Sequence, residues 1–184
     1  ADRDLTVRDT DVVITVTDSR TSPTSEHFAR MVMASLKLRR IEPTLLMARV
    51  SDSVLNHNTS ESLNSDFMKQ LHDAGVNSNF HIDIRTFDPS LTPQVATLDF
   101  VVARIPEVSD KELTTTVLGY FDNFSDTEII SMDSSVTFCS NYSSLVLSIP
   151  SVVILISEGS SALYRAAADD LAEVVEQFVP RKTS

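Results

Sequence analysis

The residues whose types and spacing most plainly invite chemistry are His81 and Asp83, two apart in Phe80-His81-Ile82-Asp83-Ile84-Arg85, and Asp99 in the next alternating stretch. Period-2 alternation puts His81, Asp83 and Arg85 on one side of an extended chain and Phe80, Ile82 and Ile84 on the other. Imidazole and carboxylate donors on one face bind divalent metal, so His81, Asp83 and Asp99 form a candidate metal set. Arg85 shares that side and can neutralise the carboxylates, which makes an ordinary solvated or ion-paired outer strand face the competing reading.

A second set lies at two strand-to-helix turns, Asp18-Ser19-Arg20-Thr21-Ser22 and Ser157-Glu158-Gly159-Ser160-Ser161. Each places small hydroxyl residues before a helix start, where unpaired backbone N–H groups attract anions. Asp18, Ser19, Arg20, Thr21, Gly159 and Ser160 are therefore candidate contacts to a phosphate or carboxylate, with Arg20 supplying charge and Gly159 allowing close approach of the backbone. Ser and Thr also serve as ordinary N-caps, and Glu158 beside the site opposes an anion. The two turns are similar to those of the small molybdopterin-binding and adenylyl-transfer proteins, in which a first strand runs into a Ser/Thr-Asp turn and a late one into a Gly-Ser turn. That family's glycine-rich central signature has no counterpart between Gly75 and Gly119, where this chain has no glycine, and the chain is not assigned to it.

A Ser–His–acid arrangement is the third chemistry to weigh. The chain has His27, His57, His72 and His81 and many serines, but no G-x-S-x-G elbow to expose one of them. No catalytic residue is assigned and no cofactor is expected. Three glycines in 184 residues leave few places for loops that cradle phosphate, which argues against an enzyme without settling the matter.

Composition bounds the rest. A chain of 184 residues with 42% apolar residues fills one core and is short for two, so one domain over 1–184 is expected. The longest apolar runs, such as Val152 to Ile156, fall far short of the roughly 20 residues of a membrane helix, and a soluble protein is expected. The sequence opens on Ala1 without a Met, which leaves a removed leader or anchor, and hence the compartment, open. Cys139 is the only cysteine, so neither an internal disulfide nor a cysteine-based zinc site can form, and its strand-like setting suits a small buried hydrophobe. Sequons at Asn58, Asn123 and Asn141 carry no weight in a chain this rich in Ser and Thr. Residues 51–184 carry a net charge of −12, because residues 1–50 hold eight Lys/Arg against seven Asp/Glu and the whole chain is at −11. So acidic a surface repels a phosphate backbone and argues against nucleic acid. Lys37, Arg39 and Arg40 fall at the expected end of a helix, where cations meet the helix dipole.

The elements that must position these groups follow from periodicity. Residues 1–10 read as a polar arm or edge. Val12–Val16 predicts a buried strand, and Ser22-Pro23 opens a helix to about Leu38 with Phe28, Met31, Val32, Ser35 and Leu36 on one face. Thr44–Val50 predicts a strand, followed by a polar loop to about Ser60 and a helix through Leu63, Phe67, Leu71 and Ala74, closed by Gly75 as a left-handed cap. Residues 80–87 and 95–105 predict an antiparallel hairpin turning at Asp88-Pro89-Ser90-Leu91-Thr92-Pro93. Ser109 to Glu112 matches a capping box for a helix with Leu113, Val117, Tyr120, Phe121 and Phe124 inward. Residues 127–139 and 144–156 predict two or three strands, and about 160–179 a final helix ended by Pro180.

The fold class expected is α+β or mixed α/β: a single mixed sheet with about four helices in the order βα-βαββαβ-βα, compatible with a ferredoxin-like core. The rival is a mostly parallel three-layer sheet in which the first and last strand–helix units are neighbours. The leading functional expectation is a non-catalytic structural or interaction subunit that associates with a protein partner or itself through a sheet face or edge. Val95, Val101, Ala103, Ile105 and Phe87 would give that face more apolar area than water tolerates, so it should be covered from within the chain or by another subunit. The alternative is a small α/β enzyme or ligand-binding protein that holds an anionic molecule at turns 18–22 and 157–161.

Overall fold

The computed structural model describes residues 10–17, 23–47, 66–87, 95–132 and 138–179. Along the chain lie β1 (Val12–Val16), α1 (Pro23–Leu38), β2 (Pro43–Met47), α2 (Asp66–Gly75), β3 (Phe80–Phe87), β4 (Phe100–Arg104), α3 (Lys111–Phe121), β5 (Thr127–Ser131), α4 (Cys139–Leu145) and β6 (Ser151–Ser157). A 3₁₀ segment, Glu158–Leu163, then leads into α5 (Tyr164–Phe178). The strands form one mixed sheet in the order β2-β1-β3-β6-β4-β5. β2, β1, β3 and β6 are parallel, β4 runs antiparallel to β6, and β5 is parallel to β4. The mixed α/β class expected from the sequence is the one observed.

Strand alternation sorts the sheet into two faces. Val12, Ile14 and Val16 of β1, Phe80, Ile82 and Ile84 of β3, Phe100 and Val102 of β4, and Val152, Ile154 and Ile156 of β6 form the larger core with α1, α3 and α5. Its densest part is aromatic: Phe100 lies 5.0 Å from Phe121 and 6.2 Å from both Phe28 and Tyr164, ring centre to ring centre. On the opposite face Val13, Leu46, Phe67, Met68, Leu71, Cys139 and Tyr142 join α2 to α4. Beside them Ala103, Ile105, Phe138 and Val153 form a third cluster. The apolar face that needed covering is therefore covered from within the chain: Val95, Val101, Ala103 and Ile105 are all buried, and Phe87 is half-buried.

Several local expectations are corrected. Strands 80–87 and 100–104 share the large core as expected but do not form a hairpin, because β6 enters between them and bonds to both. A ferredoxin-like pairing is thereby excluded; four of the six strands are parallel, as in the rival, but its first and last strand–helix units are not neighbours. β1 and β6 are parallel, but β3 separates them. Residues 139–145, expected as the gap between two strands with the strand ends at 139 and 144–145, form a helix. Asp110, not Ser109, caps α3, accepting from the Leu113 N–H at 3.1 Å, while Ser109 accepts from the Ile105 N–H at 2.8 Å. The final helix is broken near Ser160. Gly75 is not left-handed; a Cβ there would overlap the Leu147 Cδ1, so close packing of the α4 exit on α2 is what favours glycine. The proposed arm, except Thr10, lies outside the described residues, as do the polar loop to Ser60 and the turn 88–93.

The winding fixes where a site belongs. From β1 the chain passes through α1 to β2 on one side, then back through α2 to β3 on the other, and α1 and α2 lie on opposite faces. Two adjacent parallel strands whose chain connections depart to opposite sides leave a crevice outside their carboxyl ends. β1 leads outward to β2 and β3 leads the other way to β4, so the expected place for such a crevice is between β1 and β3.

Candidate functional site

Three polar residues of β3, His81, Asp83 and Arg85, point from the sheet toward α4, and Thr15 of β1 is the register partner of Asp83. His81, Asp83 and Thr15 are fully buried, as is Cys139 at the start of α4. Burying so many polar groups is tolerable only if they bond to one another. They do, in a continuous chain. Ser143 Oγ lies 2.6 Å from His81 Nδ1, and His81 Nε2 lies 2.7 Å from Thr15 Oγ1. The Cys139 thiol donates toward Thr15 Oγ1 at 3.1 Å and Asp83 Oδ2 at 3.2 Å. Arg85 Nη2 ends the chain 3.5 Å from the same Asp83 oxygen. The Arg85 guanidinium also lies over the Phe138 ring, 4.5 Å from its centre, in cation–π contact.

The electrostatics make the core of this chain inert. Burial lowers the pKa of His81 to about 4; Asp83 partly offsets the shift and Arg85 adds to it. The ring is thus neutral at pH 7, one nitrogen donating and the other accepting, which the two flanking hydroxyls satisfy. Burial, and then the negative charge of Asp83, push the Cys139 thiol far up. A protonated thiol out of reach of solvent is no nucleophile. His81 and Ser143 are close enough for a nucleophile–base pair, but both ring nitrogens face hydroxyls and no carboxylate orients the ring.

Arg85 differs from its neighbours. Burial works against its charge and is outweighed by the neighbouring Asp83 carboxylate, so it stays cationic. Its Nε and Nη2 are nonetheless buried without a hydrogen-bond partner, and so is Asp83 Oδ1. Nε–H and Nη2–H together make the flat side of the guanidinium, the edge that fits a carboxylate or phosphate in two parallel hydrogen bonds. It sits near the carboxyl end of β3, beside the place expected for the crevice. Two surface grooves of about 440 Å³ each lie elsewhere, one over α1 and α5 beside Arg39, Glu173, Glu176 and Gln177. The other lies at the opposite end of the sheet, around Val108, Asp110, Ser144 and Ser148 to Ser151.

The residues singled out from sequence fare differently. His81 and Asp83 come together, but Asp99 does not join them: its Oδ2 accepts from the Asp126 N–H at 2.8 Å and its Oδ1 accepts from the Ser160 hydroxyl at 2.5 Å. Among the described residues no group of three or more His, Cys, Asp and Glu is placed to hold a metal ion. Asp18, Ser19, Arg20 and Thr21 lie outside the described residues. The turn after β6 is at the same sheet edge as the end of β1, with β3 between. Its Ser160 hydroxyl is engaged by the Asp99 carboxylate, and Gly159 has neither a left-handed backbone nor close neighbours that would demand glycine. The groups missed from sequence are Thr15, Phe138, Cys139 and Ser143; the one available signal was a hydroxyl residue inside the apolar run Val12–Val16.

Comparison with known proteins gives no assignment: none of the protein-family models matches the chain, and no curated protein is similar enough to count as a relative.

Proposed function

We propose that this chain is a binding protein for a small anionic molecule, received at the carboxyl ends of β1 and β3 and held by Arg85. The observation that carries the reading is Arg85, a cation near the carboxyl end of β3 whose buried Nε has no hydrogen-bond partner and whose Nη2 has only the 3.5 Å ion pair to Asp83, at the sheet end where doubly wound folds take their ligands. A buried guanidinium with free donors is costly, and an anion that fills them recovers that cost. The stretch 18–22 follows β1 in sequence, which keeps Asp18, Ser19, Arg20 and Thr21 in the proposal as candidate contacts. Gly159 and Ser160 support it less, because the carboxylate of Asp99 stands at their turn. The described groups suggest binding and no reaction: the thiol is protonated and His81 is neutral and enclosed.

The test is thermal unfolding of the whole chain against a panel of phosphates and carboxylates, since a ligand bound only by the folded state raises the midpoint with concentration. Arg85→Gln should abolish the rise. A panel with no response, or a response that survives Arg85→Gln, overturns the reading.

A second reading keeps the interaction subunit. With both faces covered, the observation in its favour is that β2 and β5 end the sheet among the described strands, and β5 carries only half-buried Ile129 and Ile130 beside exposed Glu128. An open edge of this kind pairs with another strand, from a partner or a second copy. Light scattering showing a monomer at all concentrations would dismiss self-association.

A further inference from the structure

Resting on the Arg85 reading, we infer that the ligand is a small hydroxy or amino acid, or a phosphate counterpart: an anionic group whose neighbouring carbon carries a hydrogen-bond donor. Arg85 does not present its charge alone. Asp83, two residues earlier on the same strand face, has its Oδ2 3.5 Å from Arg85 Nη2, so any anion that docks on the guanidinium meets a carboxylate beside it. A bare anion is repelled there. The same carboxylate has one oxygen to spare: Oδ2 is engaged by Cys139 and Arg85, while Oδ1 is fully buried and accepts nothing.

Arg85 Nε and Asp83 Oδ1 are thus the unfilled donor and acceptor of two residues joined by one long ion pair, and together they suit a molecule that brings an acceptor and a donor on adjacent atoms. A hydroxyl or ammonium group beside the ligand's carboxylate satisfies Asp83 Oδ1 and screens the repulsion in one contact. The Phe138 ring holds the guanidinium plane from one side and limits how it can turn to follow a differently shaped ligand. Nothing in the cluster requires Cys139 or His81 to change protonation when such a molecule binds, so the preference is one of recognition alone.

The experiment uses the whole chain and calorimetric titration with lactate, alanine, propionate and inorganic phosphate, on the wild type, Asp83→Asn and Arg85→Gln. Lactate or alanine is expected to bind about tenfold or more tighter than propionate, which matches lactate but lacks its hydroxyl, as one hydrogen bond to a charged group would give. Asp83→Asn should narrow that ratio, and Arg85→Gln should remove binding of every probe. Equal affinity for lactate, alanine and propionate, or a ratio that survives Asp83→Asn, overturns this inference while leaving Arg85 as an anion contact. Binding of no probe, or binding indifferent to Arg85→Gln, overturns both. Should Asp83→Asn fail to fold, the wild-type ratio of lactate to propionate decides.

Discussion

The Cys139 sulfur lies 3.2 Å from Asp83 Oδ2, joining the start of α4 to the middle of the sheet across 56 positions of sequence. Contact with a carboxylate raises the thiol's pKa, whereas reactive thiols lie beside cations or in open polar sites. In the folded protein Cys139 is therefore expected to resist a disulfide-exchange reagent at pH 8 and to react at once in denaturant. Labelling of the native protein at the rate of a free cysteine would contradict the buried network.

The stability of the fold should depend on pH through His81. Its folded pKa, about 4, lies below the unfolded value of 6.5, so between these values the unfolded chain binds the extra proton. Stability from this group is complete above pH 6.5 and is lost as pH falls toward 4, in total about 3 kcal/mol. Denaturant midpoints measured from pH 7 to pH 5 should fall accordingly, and His81→Asn should flatten that part of the profile. An unchanged slope in the variant would reject the enclosed neutral imidazole.

Phe100 is fully buried among Phe28, Phe121, Phe124 and Tyr164. Its truncation to Ala leaves a cavity that four rings cannot readily close, and should cost roughly 3–5 kcal/mol. Urea unfolding checks it, with a midpoint equal to wild type as the contrary result.

Two helix glycines should behave differently. Gly119 is exposed inside α3, and a Cβ there meets nothing within 4 Å, so Gly119→Ala should stabilise by up to about 1 kcal/mol. At Gly75 the added methyl overlaps Leu147, and as the last residue of α2 the position gains less from helix propensity. Gly75→Ala should therefore gain less than Gly119→Ala or destabilise. Thermal midpoints of the two variants in parallel decide it.

What could be read from sequence was what depends on near neighbours. The apolar run Val12–Val16 and the alternation in 80–87 correctly gave strands and the inward side of Phe80, Ile82 and Ile84, but the other side of 80–87, read as an outer face, is buried as well, His81 and Asp83 completely. Which strands pair was not legible: residues 80–87 and 100–104 look like hairpin partners until residues 151–157 displace the pairing from far along the chain. Residues 139–145, Cys-Ser-Asn-Tyr-Ser-Ser-Leu, lack good helix formers and owe their helix to packing, Tyr142 bonding to His72 at 2.7 Å and Cys139 to the sheet. For the site, Asp83 and Arg85 were visible as polar positions on a strand, but Arg85 was read only as a neutralising charge. Its unfilled donors depend on how α4 and Phe138 close over it, which no spacing reveals.

The entry of β6 between β3 and β4 also sets the order in which the sheet can be completed during synthesis. A ribosome delivers β1, β2 and β3, then β4 and β5, as two ribbons with no direct pairing, and residues 151–157 must emerge before either inner edge is closed. Until then the nascent chain presents two open templates rich in Val, Ile and Phe. Such a chain stalled before residue 151 should need a chaperone, while one released past α5 can bury both edges in a single step.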